Sequence, residues 1–389
     1  MTVSARIDQL QGGSRAGGSR LLLTYARADV TIVRGEGTRV WDSDGREYLD
    51  FGAGIAVVGL GHGHPAPLAA AREQLDRLWH ASNLYRTQPA EELAARLSRR
   101  FGGADAFFCN SGAEAIETAI KLARKATGKA GVIALEGGFH GRTLGALSVT
   151  GQAGKRGPFE PLVPGARFVP PNDVSRLLDA VDDEVALILL EPVLGEGGIH
   201  PLDAEFVAAA AESSPLLCLD EIQTGVGRTG SFFAFEELGI RPDLVTLAKG
   251  LANGLPIGAL LVRDGLAGGF VPGDHGSTFG GNPVACCAAC AVVDAIDEGL
   301  LSNVRSRSAE LSAALVSLPG VLEVRGRGLI LGVELDRPAA AVVDACRERG
   351  LLVLSAGDSV LRLTPPLVIT EDDVADALST LAAALEGTL

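Results

Sequence analysis

The chain has 389 residues, 47% hydrophobic and 21% charged, enough for a large buried core and two or three structural units. Its 34 Lys and Arg against 48 Asp and Glu give a formal charge of -14, which argues against nucleic acid and anionic membrane as partners, since both need basic patches. The first twenty residues are polar rather than apolar. The longest apolar run, residues 283–293, is far short of the roughly 20 residues of a spanning helix, so a cytoplasmic protein is expected.

In chain order, the Gly/Ser stretch 12–19 reads as a mobile tail. Residues 37–51 alternate around Asp44-Gly45, a hairpin signal. Helical spacing over 91–100 is followed by a short strand at 106–109 and a helix over 112–126, apolar at 116, 119, 120 and 123. Further buried-strand candidates are 131–135, 185–190, 216–219, 244–247 and 257–262. Short apolar runs separated by helical segments predict a mainly parallel α/β sheet covered on both faces. After about residue 285 come a long Ala-rich helix, strands near 321–335, 351–354 and 360–363, and a final helix, which read as a smaller α+β domain. The expected division is an N-terminal segment 1–50 packing with the small domain, a large α/β domain 51–285 and the small domain 286–389.

Ligands of open parallel sheets gather at the carboxyl ends of the strands. Three motifs stand at such places. In Cys109-Asn110-Ser111-Gly112-Ala113-Glu114-Ala115, small residues and a helix start offer free N–H groups to a phosphate. An ordinary N-cap at Ser111, with Glu114 at capping-box spacing, explains the same residues. The strand Leu217-Cys218-Leu219 stops in Asp220-Glu221, followed by Gln223. An acid there suits a protonated ring nitrogen, a metal or a helix cap. Lys249 follows an apolar strand among small residues, where burial and nearby cations favour a neutral, nucleophilic amine. Its alternative is a lysine that snorkels to solvent. The three in this order make a pocket for pyridoxal phosphate (PLP).

Other candidates have plainer readings. Cys287 and Cys290 have C-x-x-C spacing, but no second pair or nearby His completes four ligands, and an Ala-rich helix suits free core thiols. Gly61-His62-Gly63-His64-Pro65 reads as a tight turn with structural histidines. With no H-E-x-x-H, no metal is expected. A dinucleotide fold is excluded because no G-x-G-x-x-G follows an early strand with an acid about 20 residues on.

From about Tyr25 to the last helix, the chain resembles class III PLP-dependent aminotransferases of the acetylornithine/ornithine type. The likeness rests on the motifs above and on Gly138-Phe139-His140-Gly141-Arg142-Thr143, Ala248-Lys249-Gly250, His275-Gly276-Ser277-Thr278-Phe279-Gly280-Gly281-Asn282-Pro283 and Arg362-Leu363-Thr364-Pro365-Pro366. It implies the type I fold of PLP enzymes. It also implies that Lys249 holds the cofactor covalently and then moves the proton, while Asp220 pairs with the ring nitrogen. Gln223 would bond the phenolic oxygen side, Ser111, Gly112 and Ala113 the phosphate, and Phe139 would stack on the ring, with His140 shaping the pocket. Thr278 would reach the phosphate of a neighbouring subunit, making the protein a homodimer. Arg142 and Arg362 match carboxylate binders, and Glu196 a glutamate that neutralises the substrate arginine. Ser277 and Tyr25 would line the substrate side.

The implied reaction is ping-pong, from N-acetylornithine to 2-oxoglutarate, in arginine biosynthesis. A related ω-aminotransferase, an aminomutase or a decarboxylase is the alternative. The sequence departs from this pattern at Leu194, where relatives carry a polar Gln, and at Arg86, where a smaller or uncharged residue is commoner and a cation suits a more acidic donor.

Overall fold

The computed structural model describes residues 20–388, so the Gly/Ser stretch 12–19 lies outside them. Seven short strands form the central sheet: β1 (Ala104–Cys109), β2 (Gly131–Leu135), β3 (Ala166–Val169), β4 (Val185–Leu190), β5 (Leu216–Asp220), β6 (Leu244–Leu247) and β7 (Gly258–Arg263). Their order is β1-β7-β6-β5-β4-β2-β3. The neighbours from β6 to β3 are parallel, and β7 runs antiparallel to both β1 and β6. Every residue of β4 is buried, as a strand covered on both faces requires. The edge strand β3, Ala-Arg-Phe-Val, escaped the sequence reading because it is short and carries a charge.

Helix α1 (Gly112–Thr127) leaves the end of β1 and buries Ile116, Ala119, Ile120 and Ala123 against the sheet. Ser111 caps it by accepting the Glu114 N–H at 3.3 Å. Beyond the sheet, the expected single Ala-rich helix is two, α2 (Pro283–Ala295) and α3 (Glu298–Leu315). The break comes at Asp297, whose carboxylate accepts the Leu300 N–H at 2.8 Å and so starts a new helix. Cys286 and Cys290 of α2 are free thiols buried in the core.

A second sheet joins Val321–Arg327, Ile330–Leu335, Val360–Leu363 and Leu354–Ser355. A third holds the predicted hairpin, Arg39–Asp42 against Glu47–Asp50, whose turn contains Gly45 at φ 81°. Leu351–Leu352 pairs in parallel with Glu47–Asp50, so the N-terminal hairpin shares a sheet with a C-terminal strand. Among the described residues, no helix is long and apolar enough to cross a membrane.

β7 begins at Gly258 beside the turn that starts α1. A side-chain carbon there would drive into the Ser111 carbonyl oxygen and the Cys109 thiol. Gly258→Ala should therefore lower stability by about 1–3 kcal/mol, the usual range for overpacking, and loosen the α1 start. Chemical denaturation of the purified variant measures this.

Candidate active site

β1, β5 and β6 all end at one edge of the sheet, and because β7 runs the other way, its first residue meets that same edge. A cavity of about 320 Å³ opens there. Ser111, Gly112 and Ala113 at the start of α1, Asp220 and Gln223 at or just past the end of β5, and Lys249 just after β6 all line it. The cavity thus gathers the three motifs that the sequence spreads over nearly 140 positions.

Lys249 stands at φ 36°, a left-handed conformation that costs a non-glycine residue energy and clusters at functional sites. Burial, aided by the charge of Arg362, lowers its amine to about 8, while Glu196 and Asp220 oppose the shift. Asp220 is buried and hydrogen-bonded through both of its oxygens. Its Oδ1 accepts the Ile222 N–H at 3.1 Å and the Thr246 hydroxyl at 3.3 Å, and its Oδ2 lies 2.7 Å from His140 Nδ1. Burial disfavours the charged form of His140, but the bond and charge of Asp220 outweigh it, and His140 titrates above its ordinary value. His140 therefore does more than shape the pocket: it holds Asp220 in place.

The first N–H groups of α1 have no intrahelical acceptor, and Gly112 and Ala113, which carry two of them, line the cavity. A side chain at 112 would collide with Ile222, so glycine is the residue that lets this turn sit beside the Asp220 strand.

Sequence reasoning missed Glu191, which lines the cavity directly after β4. Its Oε1 accepts the Phe139 N–H at 2.7 Å and its Oε2 the Gly195 N–H at 3.1 Å, so one carboxylate fastens both loops. Burial pushes its acid up, Asp220 adds to this and His140 opposes it. An acid immediately after an all-apolar strand is the same signal that marks Asp220 and could have found it.

Beside the cavity lies a charged cluster. Arg362, on the strand Val360–Leu363, is buried, pairs with Glu196 and reaches Gln223 Oε1 at 3.4 Å, and its Nε has no partner among the described residues. Despite burial, Arg362 holds the Glu196 carboxyl below the usual range. Arg142 is exposed, 5.6 Å from the centre of the Phe139 ring, and Lys155, also missed from the sequence, stands 4.9 Å from it. Ser277 touches the site loop through its hydroxyl, which accepts from Asn110 Nδ2 at 3.2 Å.

Thr278 and Tyr25 are exposed and do not line the cavity of their own chain. Leu194 is a buried core residue. Arg86 is exposed, 3.9 Å from Glu91. Of the turn histidines, His62 bonds Asp50 at 2.8 Å and His64 caps the helix Pro65–Leu75.

These residues fit PLP: free helix-start N–H groups suit a phosphate, a buried acid a ring nitrogen, and an amine near neutrality a carbonyl carbon. The sheet order and the site together define a PLP-dependent transferase of fold type I. Residues 24–385 match the family described as aminotransferase class-III, and the chain belongs to it. Members of that family depend on PLP, and the chain is a PLP-dependent aminotransferase.

It is 50% identical over 373 residues to the acetylornithine aminotransferase of Methanopyrus kandleri, covering 93% of this chain and 96% of that one. It is 45% identical over 377 residues to that of Bacillus subtilis, covering 94% and 98%. Among solved structures, the N-acetylornithine aminotransferase of Stenotrophomonas maltophilia superposes with a TM-score of 0.82 at 38% identity, covering 94% of this chain and 97% of that one. An ornithine aminotransferase of Toxoplasma gondii gives 0.91 at 34%, covering 95% and 92%.

Two measurements check the site. Because the neutral amine is the reactive form, PLP added to cofactor-free protein should bind covalently faster as pH rises through about 8, then level off. The visible absorption of the bound cofactor follows this. Glu191→Ala strands two N–H groups. It should keep that absorption band, because Lys249 is intact, yet lower kcat/KM about tenfold as the Phe139 and Gly195 loops loosen.

Proposed function

We propose that the chain transfers the terminal amino group of N-acetylornithine to 2-oxoglutarate, giving N-acetylglutamate semialdehyde and glutamate, as a cytoplasmic step of arginine biosynthesis. The observation that carries this reading is the near-full-length likeness to acetylornithine aminotransferases.

When bound, PLP supplies an aldehyde for the substrate amine and a ring that spreads the charge left by proton loss. Lys249 would be the general base that takes the proton from the amine-bearing carbon and later returns one. Asp220, fixed by His140, Thr246 and the Ile222 N–H, would keep a ring nitrogen protonated. Gln223 would bond the phenolic oxygen, Phe139 would stack on the ring, and Ser111, Gly112 and Ala113 would hold the phosphate.

Recognition falls to the charged cluster. The terminal amine carbon of N-acetylornithine carries no carboxylate, so the Glu196–Arg362 pair stays closed over it. Glutamate and 2-oxoglutarate carry a carboxylate next to the reacting carbon. For them Glu196 withdraws and the guanidinium fork of Arg362 binds that group, while Arg142 takes the carboxylate at the far end.

A homodimer belongs to this reading. Trp79, Leu84, Tyr85 and Phe279 are exposed apolar side chains on two segments that Asn83 ties together, through 2.8 Å bonds to Ser277 O and Gly280 O. An exposed apolar patch of this kind suits a partner subunit, which would receive Thr278 at its phosphate and find Tyr25 and Ser277 on the substrate side. The division at residues 50 and 285 goes with it.

The test is the visible spectrum of the PLP-bound enzyme. N-Acetylornithine should bleach the band and 2-oxoglutarate restore it. Bleaching by ornithine, 4-aminobutyrate or a carrier-linked amine alone would move the substrate elsewhere in the class. Carbon dioxide release, or turnover without a 2-oxo acid, would mean decarboxylation or an aminomutase.

A further inference from the structure

The pairing of Glu196 with Arg362 leaves two other cations next to the cavity-lining Phe139, Arg142 at 5.6 Å and Lys155 at 4.9 Å from the centre of its ring. Neither has an ion-pair partner among the described residues. Lys155 is the more unusual of the two, since it is partly buried and its ammonium donates to no oxygen among the described residues. A strongly hydrated ammonium on a flexible stem ordinarily extends to water.

Its neighbour shows that the turn itself does not require a free cation here. Arg156 donates to the Thr150 carbonyl at 2.5 Å and lies over the ring of Phe168 at 4.0 Å, a structural role complete within the chain. Lys155 has no such role. The turn is nevertheless fastened to the Phe139 loop: Gln152 Nε2 donates to Gly137 O at 3.0 Å, and Gly151 N–H to Gly138 O at 2.8 Å. The backbone that carries Lys155 is thereby tied to the Phe139 loop. Burial lowers its pKa, Glu196 opposes this, and the charges of Arg142 and Arg362 add to it, so Lys155 belongs electrostatically to the substrate cluster.

We propose that Lys155 is a specificity-determining residue that, with Arg142, forms a two-cation seat for the distal carboxylate of a dicarboxylate 2-oxo acid. The inference rests on the aminotransferase reading above for the reaction, but not on the identity of the amino donor. Two cations for one carboxylate favour an acceptor with a second acidic group over one that ends in a methyl.

The test uses PLP-bound wild type, Lys155→Met and Lys155→Arg, each first checked for its visible band. Calorimetric binding of glutarate, which has both carboxylates and no reactive carbonyl, should weaken about ten- to a hundredfold in Lys155→Met and recover in Lys155→Arg. KM for 2-oxoglutarate should rise by a similar factor, with kcat nearly unchanged and KM for pyruvate unmoved. Glutarate binding equal to wild type in Lys155→Met overturns the proposal, and so does an equal loss on pyruvate and 2-oxoglutarate. If N-acetylornithine fails to bleach the wild-type band while Lys155→Met still loses glutarate, the donor assignment falls and the role of Lys155 stands.

Discussion

Lys249 must be taken out of water to lose its proton near neutral pH, and most of the site follows from that constraint. An amine so placed needs an apolar strand behind it, and Leu244–Leu247 is buried at every position. It also needs neighbouring charge of both signs. Arg362 pushes its pKa down, while Glu196 and Asp220 limit the fall, so the amine settles at about 8 and does not become permanently neutral. The positive φ of Lys249 is the backbone's share of the cost of turning the chain sharply at the strand end.

Buried charge is tolerable only when it is paired or hydrogen-bonded, and the site obeys this closely. Asp220 has His140, Glu196 has Arg362, and Glu191, without a cationic partner of its own, accepts two backbone N–H groups. The result is a locally balanced interior in a chain of net charge -14. Overall acidity therefore has no bearing on whether the pocket takes anions.

How much of this was legible depends on where each residue's signal lies. Strand ends carry it within a few neighbours, so Lys249 and Asp220 stand out as charges terminating apolar runs. Glu191 carries the same signal, but in Glu191-Pro192-Val193 the apolar run resumes and masks the strand end. Lys155, in Gln152-Ala153-Gly154-Lys155-Arg156, looks like a solvated loop, because its burial comes from Phe139 sixteen residues earlier. Asp297 marks a helix break that the Ala-rich pattern around it hides. The roles given to Tyr25 and Thr278 turn on a second subunit, which no pattern within one chain can position.

Arg362 shows how the two ends of the molecule are brought into register. Its strand belongs to the C-terminal sheet, yet its guanidinium must meet Gln223 and Glu196 from the large sheet. Arg228, a few residues beyond Gln223, makes that connection. It is buried without an acid beside it, and burial lowers it to about 9. Its Nη1 donates to the carbonyls of Leu329 and Pro365, one at the start of the strand beside that of Arg362 and the other just past it. Thr364 fixes the same segment from the N-terminal side through Gly52 O at 3.0 Å and Phe51 O at 2.8 Å. A cation held only by carbonyl dipoles is costly, and a methionine would fill similar space without that cost. What the guanidinium adds is direction: two carbonyls from two segments of the C-terminal sheet converge on one nitrogen. The loop that follows Asp220 thus also sets where Arg362 stands, and the strand-end acid and the Glu196–Arg362 pair are held in register by the same stretch of chain.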